Sequence, residues 1–364
     1  HIVCQAADGR EGLQILREAR FDIVLLDLMM PGMNGFQLLE AIRTDAALRD
    51  LSVIMVSALD DPASMARCLE LGAEDYLPRD FNPVILKARI NSLLEKKEYK
   101  RQNERALTSL AATQARLAAE LKDAASYVRS LLPKRARWED VAVDWEFIPS
   151  LSLGGDCFSY RRLKDGRLAL FLIDVSGHGI EAALLSVTVM NMLKTASLGG
   201  LDYGDPRSVL TRLNQSFRIE DQNNMYFTIW YGVYEPAAHS LSYATGGCPP
   251  AILIDPSGEI AELVADGPII GVDDGAEFNA RTVAVRPGSH LFLFSDGLFE
   301  IRTKDGDLLP WGEFLVLLLA HHRECALAPA CLSPIRRIVD AVLALSSKPL
   351  FVDDVSILEF AFNA

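Results

Sequence analysis

Hydrophobic and polar positions divide the chain into three regimes. In the first, apolar runs at residues 21–26 and 51–56 read as buried strands, each followed by a helical pattern, at 36–42 and 63–71. Strand alternating with helix predicts a parallel sheet with helices on both faces. Chemistry in such sheets collects at the carboxyl ends of the strands. Those ends carry Asp27, Ser57 and, after Tyr76-Leu77-Pro78, Arg79.

The second regime has no Gly or Pro from Asn91 until Pro133. Leu107, Leu110, Gln114, Leu117, Leu121, Ala124, Val128 and Leu131 recur at alternating spacings of three and four, the seam of a coiled coil. The pattern predicts a helical linker, either paired with a second copy in a parallel coil or packed as a single helix on its own domains.

The third regime is a series of hairpin signals. Segments 161–163 and 168–173 flank Asp165-Gly166, and 227–234 precedes 240–243. Segments 251–254 and 260–264 flank Pro256-Ser257-Gly258, and 281–285 and 290–294 flank Pro287-Gly288. Helical patterns at 180–193, 206–217 and in pieces between 311 and 345 predict antiparallel sheets covered by helices. The expected organisation is residues 1–91, 92–133 and 134–364.

Candidate chemistry in the third regime is acidic. The apolar run 168–173 stops on Asp174, and Ser176-Gly177-His178-Gly179 leads into a helix. Alone, this is either a structural turn or a loop that brings backbone close to a ligand. Asp156 follows Gly154-Gly155, Asp296 lies in Phe294-Ser295-Asp296-Gly297, and Asp353-Asp354 precedes an apolar run. Carboxylates at four strand ends converge only if a cation neutralises them, and these motifs hold no Lys or Arg. Oxygen-only ligands point to Mg²⁺ or Mn²⁺ rather than zinc. Two such ions sharing one carboxylate suit phosphate-ester hydrolysis by an activated water.

Composition narrows the partners. The 364 residues carry a formal net charge of -13, which disfavours nucleic acid and anionic membrane surfaces as partners. Six scattered cysteines without a C-x-x-C pair read as reduced thiols. No apolar run is long enough for a bilayer and no leader pattern opens the chain, so the cytoplasm is expected.

Two resemblances sharpen these readings. Asp27-Leu28-Met29-Met30-Pro31-Gly32-Met33-Asn34-Gly35, Val56-Ser57-Ala58 and Gly72-Ala73-Glu74-Asp75-Tyr76-Leu77-Pro78 resemble the receiver domain of two-component response regulators. The resemblance implies a flavodoxin-like α/β fold, a phosphoryl-accepting Asp27, a switch hydroxyl on Ser57 and an upstream histidine kinase or phosphotransfer protein. The family has lysine where Arg79 stands and proline where Asp80 stands. It also has a first strand, ending in an acidic pair that holds Mg²⁺, before the segment at which this sequence begins. Phosphorylation of Asp27 in this chain is therefore expected to be inefficient.

Gly154-Gly155-Asp156, Asp174-Val175-Ser176-Gly177-His178-Gly179, Gly246-Gly247-Cys248-Pro249-Pro250, Ser295-Asp296-Gly297-Leu298-Phe299-Glu300 and Asp353-Asp354-Val355-Ser356 resemble the sporulation-type branch of the PPM/PP2C-like serine/threonine phosphatases. That resemblance implies an α-β-β-α sandwich. Asp174 would bridge two Mg²⁺ or Mn²⁺ ions, Val175 would bind through its carbonyl, Asp296 and Asp353 would complete the pair, and Asp156 would stand beside them. His178 is either a proton donor to the leaving serine oxygen or a residue that shapes the turn. Ser159 and Cys248 replace an aspartate and a histidine found in relatives. The implied substrate is a phosphoserine on an anti-sigma-factor antagonist, and the linker implies a homodimer. A catalytically weak scaffold that binds the antagonist is the alternative.

Overall fold

The computed structural model describes residues 2–58, 62–150, 153–327 and 334–363. The chain divides into two compact units, His1–Arg116 and Leu117–Ala364, each described here by itself.

The first unit contains α1 (Gly9–Glu18), β1 (Ile23–Asp27), α2 (Gly35–Thr44), β2 (Ser52–Ser57), α3 (Pro62–Glu70) and β3 (Asp75–Pro78), followed by the start of α4 (Pro83–Leu131). The strands form a parallel sheet in the order β1-β2-β3. Leu26, Leu28, Val53 and Met55 pack with Leu38, Leu39 and Ile42 of α2. The acidic side chain of Asp8 starts α1 by accepting from the amides of Arg10 and Glu11 at 2.8 and 3.0 Å. This helix was not anticipated from the sequence. Residues 2–6 carry no strand, and Ile2 and Val3 are exposed.

The linker helix begins earlier than its pattern predicts. Asn82 caps it by accepting from the Val84 amide at 2.9 Å, and Pro83 occupies the first helical position. None of the residues in α4 is buried.

The second unit stacks two antiparallel sheets. One runs β11-β10-β13-β14-β5-β4 and the other β12-β9-β8-β7-β6. Their strands are β4 (Ala136–Arg137), β5 (Val141–Ile148), β6 (Cys157–Arg162), β7 (Leu168–Val175), β8 (Phe227–Glu235), β9 (Ser240–Gly246), β10 (Ala251–Ile254), β11 (Ile260–Leu263), β12 (Arg281–Ala284), β13 (His290–Phe294) and β14 (Val355–Phe362). Leu358, Phe360 and Phe362 of one sheet and Leu170, Leu172 and Tyr231 of the other belong to one buried core. Residues of α5 (Ile180–Thr195) and α6 (Pro206–Ser216) join that core. On the other face, Phe292, Phe294 and Ile357 pack with Phe314 and Leu318 of α7 (Trp311–Leu327) and Ile338 of α8 (Pro334–Leu345). This is the α-β-β-α sandwich that the phosphatase resemblance implies.

Three predicted hairpins form as β6-β7, β8-β9 and β10-β11. The fourth does not. β12 pairs with β9 in one sheet, whereas β13 lies between β10 and β14 in the other. Pro287-Gly288 therefore carries the chain between layers, with Gly288 at φ 84°. A tight-turn signature is the same for both connections. Only the burial of Val285 on one layer and Leu291 to Phe294 on the other separates them.

Among the described residues no helix is long and apolar enough to cross a membrane. Cys4, Cys68, Cys157 and Cys248 are free thiols; Cys331 and the side chain of Cys325 lie outside the described residues.

Candidate metal centre

Antiparallel register delivers the acids in two pairs. Cys157 pairs with Ile173, so Asp156, one residue ahead of β6, stands beside Asp174 near the end of β7. Phe294 pairs with Ile357, so Asp296, just past β13, shares an end with Asp353, just ahead of β14. The two pairs stand close enough for their charges to act on one another, with Asp156 buried, Asp174 and Asp296 half-buried and Asp353 exposed. Burial, then the charges of Asp296 and Asp353, push the Asp174 carboxyl up to about 7. Burial, then Asp353 and Glu300, push Asp296 up to about 6.

Asp156 is 2% exposed. Burial and the neighbouring Asp174 hold its carboxyl well above the ordinary range, a shift that the hydroxyls of Ser295 and Ser356 reduce. Neither of its oxygens has a hydrogen-bond partner of good geometry. A buried carboxylate without a partner is costly unless a cation answers it. Among the described residues, no lysine or arginine forms an ion pair with Asp156, Asp174, Asp296 or Asp353. No three of these acids bring one oxygen each within 4.8 Å of one another.

The donor set fits a hard divalent cation. It is all oxygen, and its buried member, Asp156, has no cationic partner among the described residues. The Val175 carbonyl faces Gly155, where an added Cβ would stand 2.7 Å from that oxygen. Glycine keeps that approach clear.

Asp354 has a different task. Its carboxylate accepts from the Ser150 amide at 2.8 Å, the Ser150 hydroxyl at 3.0 Å and the Gly155 amide at 2.6 Å. It fixes the loop that presents Asp156. Ser295 was not assigned a role from the sequence, yet it joins the acid-bearing ends. Its hydroxyl donates to the Asp354 carbonyl at 3.2 Å and accepts from the Ser356 amide at 2.9 Å. Its place beside Asp296 was the only signal available. His178 is exposed between Gly177 and Gly179, whose φ values of 88° and 91° suit glycine. Cys248 is poorly suited to act as a thiolate. Burial pushes its thiol up to about 12, and its Sγ lies 3.1 Å from the Ile229 carbonyl.

In the first unit, the parallel strands end together. Asp27, Ser57 and Arg79 gather at their carboxyl edge, with the Arg79 guanidinium paired to the Asp27 carboxylate. The Asp27 carboxylate also accepts from the Met29 amide at 3.1 Å, and Ser57 is fully buried.

Stacked antiparallel sheets between helices, with acids gathered at one end, define a PP2C-like phosphatase domain, here preceded by a receiver. The family described as Stage II sporulation protein E (SpoIIE) matches residues 164–363, and the response regulator receiver domain matches residues 1–91. The chain belongs to the stage II sporulation protein E family and carries a response-regulator receiver domain.

Among curated proteins it is similar to phosphoserine phosphatase RsbP of Bacillus subtilis, 28% identical over 163 residues, 44% of this chain and 40% of that one. It is also similar to transcriptional regulatory protein AfsQ1 of Streptomyces coelicolor, 39% identical over 99 residues, 27% of this chain and 42% of that one. The matches span about two fifths of the length of these relatives. Among solved structures, the SiaA-PP2C domain of Pseudomonas aeruginosa aligns with a TM-score of 0.56 at 21% identity, over 70% of this chain and 100% of that one. The RsbU and RsbW domains of Rv1364c from Mycobacterium tuberculosis align at 0.51 and 23%, over 62% of each chain. These likenesses show the fold.

Two predictions follow from the charge balance. Folded Asp174 and Asp296 hold protons that the unfolded chain releases above the ordinary carboxylate range. Without metal, the stability they contribute is complete below about pH 4 and is lost as pH rises toward 7, by roughly 2–4 kcal/mol. Thermal unfolding of the chelator-treated protein should therefore fall from pH 5 to pH 8, and Asp174→Asn should flatten the slope. A rising profile in the unsubstituted protein would contradict this. Asp354→Ala should lower stability by about 3 kcal/mol in urea unfolding, because it strands the buried Gly155 amide.

Proposed function

We propose that the chain is a metal-dependent protein phosphatase that hydrolyses phosphoserine or phosphothreonine on a partner protein, under control of its receiver. The observation that carries this reading is the approach of Asp156, Asp174, Asp296 and Asp353 at neighbouring strand ends of two sheets, with no ion-paired lysine or arginine among the described residues. The phosphoserine phosphatase RsbP is a relative whose matched segment is consistent with it. The partner class, an anti-sigma-factor antagonist, is the one the family resemblance implies.

Asp174, the Val175 carbonyl, Asp296 and Asp353, with Asp156 beside them, are the groups assigned to hold two Mg²⁺ or Mn²⁺ ions. Bound there, the ions supply an activated water at neutral pH and positive charge for the phosphoryl oxygens. The chain's own residues set the geometry. Strand ends fix the carboxylates, Asp354 anchors the loop of Asp156, and the two glycines around His178 let backbone approach the phosphoryl group. His178, exposed at the turn, is the candidate proton donor to the leaving serine oxygen, with shaping of the turn as its other reading.

Control is assigned to Asp27 as phosphoryl acceptor from an upstream histidine kinase or phosphotransfer protein, with Mg²⁺ needed for that transfer and with Ser57 and Arg79 as the groups that respond. The linker supports a homodimer. Leu107, Leu110 and Leu117 are 60%, 55% and 50% exposed in α4, and a second copy would cover this stripe.

Mn²⁺-dependent release of phosphate from a phosphoserine protein should fall by about 100-fold or more in Asp174→Asn. Equal and negligible rates for both proteins would instead indicate a binding scaffold. Light scattering at micromolar concentration should give a dimer, and replacing Leu117 and Leu121 with lysine should give a monomer. A monomeric unsubstituted chain would remove the coiled coil.

A further inference from the structure

We propose that His290, His322 and Glu359 form a second metal site, separate from the aspartate pocket, that takes a borderline divalent transition-metal ion such as Zn²⁺. One nitrogen from each histidine and one oxygen from Glu359 lie within 4.8 Å of one another. His290 Nδ1 is 2.8 Å from Glu359 Oε1, and the two imidazoles meet edge to face with centroids 4.4 Å apart. Nitrogen and oxygen ligands of a tetrahedral Zn²⁺, with bonds near 2.0–2.2 Å, stand about 3.3 Å apart. Small rotations bring the three groups to that spacing.

Three elements place these side chains. Phe292 pairs with Glu359 and His290 with Ala361, so His290 on β13 and Glu359 on β14 are diagonal neighbours on one face of the sheet. His322 extends the stripe of α7 that buries Phe314 and Leu318, four residues apart, against the same face. Its ring meets the edge of Phe292 at 5.8 Å.

The setting makes Glu359 conspicuous. Its side chain is 8% exposed beneath an otherwise apolar helix–sheet contact, and its hydrogen-bond partner is an imidazole. Asp144, opposite it on β5, is paired with Arg135. A carboxylate in that position is costly unless a cation answers it. Two imidazoles and a carboxylate with positions left for water suit zinc, whereas the aspartate pocket offers only oxygen and suits Mg²⁺ or Mn²⁺. The two sites sort ions by ligand chemistry. They also lie at opposite ends of the same strands. Six residues separate His290 from Asp296 and Glu359 from Asp353, roughly 20 Å along a strand. An ion here ties α7 to the two strands whose far ends present Asp296 and Asp353.

The test uses the full chain carrying Asp174→Asn, so that metal in the aspartate pocket does not confuse the reading. Cobalt(II) is the probe, read by its visible absorption, and Zn²⁺ is the competitor. We expect one equivalent of cobalt with nitrogen-ligated bands that Zn²⁺ abolishes. Adding His322→Ala or Glu359→Gln should weaken binding about 10-fold or more, and His321→Ala should leave it unchanged. Zn²⁺ should also raise the unfolding temperature of the Asp174→Asn protein but not of its His322→Gln derivative, with circular dichroism confirming that each is folded. Absence of cobalt bands in the folded Asp174→Asn protein, or a cobalt affinity unchanged by His322→Ala, would overturn the site. Phosphatase activity does not enter the readout, so the proposal stands or falls separately from the enzymatic one.

Discussion

Crowding of carboxylates at partly buried strand ends is the constraint on which the second unit turns. Asp156, Asp174 and Asp296 are each raised above the ordinary carboxylate range, first by burial and then by one another or by Asp353. No arrangement of neutral neighbours removes that penalty. The hydroxyls of Ser295 and Ser356 ease it at Asp156, but the oxygens of Asp156 remain without partners. A cation bound among these carboxylates would offset that repulsion.

Two sheet registers make the crowding unavoidable. The β6-β7 pairing sets Asp156 against Asp174, and the β13-β14 pairing sets Asp296 against Asp353. Each pair sits at a strand end, and the strands themselves are locked by a core that neither sheet completes alone. Glycines then remove the side chains that would obstruct the junction. A Cβ on Gly297 would stand 2.2 Å from the Asp354 carbonyl, and one on Gly154 would stand 2.6 Å from the Asp354 carboxylate. Position is thus set by backbone pairing, and only the final closure is left to the side chains. An oxygen-rich pocket of this kind differs in principle from the mixed cluster under α7, where imidazole nitrogen is available.

Local pattern carried the acid-bearing motifs because each pairs an apolar run with an acid and glycine. Asp174 after residues 168–173 and Asp296 after residues 290–294 are legible in that way. Their convergence is not, since it depends on which strands become neighbours across two sheets. The Pro287-Gly288 turn shows the limit. It reads as a hairpin, yet it joins β12 in one sheet to β13 in the other. α1 was missed although Asp8 stands at its start, because its apolar positions are few, Leu13, Ile15 and Leu16. In the linker the helix was legible, but the true start at Pro83 was not, as the charged stretch that follows hides the first turns. His290, His322 and Glu359 share no motif at all. They come from three elements, and only packing of α7 on the sheet brings them together.

The account rests on cations entering the aspartate pocket, and anomalous diffraction from crystals grown with Mn²⁺ tests this most directly. It predicts manganese peaks in contact with the Asp174 carboxylate, with Asp296 and Asp353 rotated toward the same density. Peaks confined to other parts of the molecule, with those three carboxylates still spread apart, would contradict it.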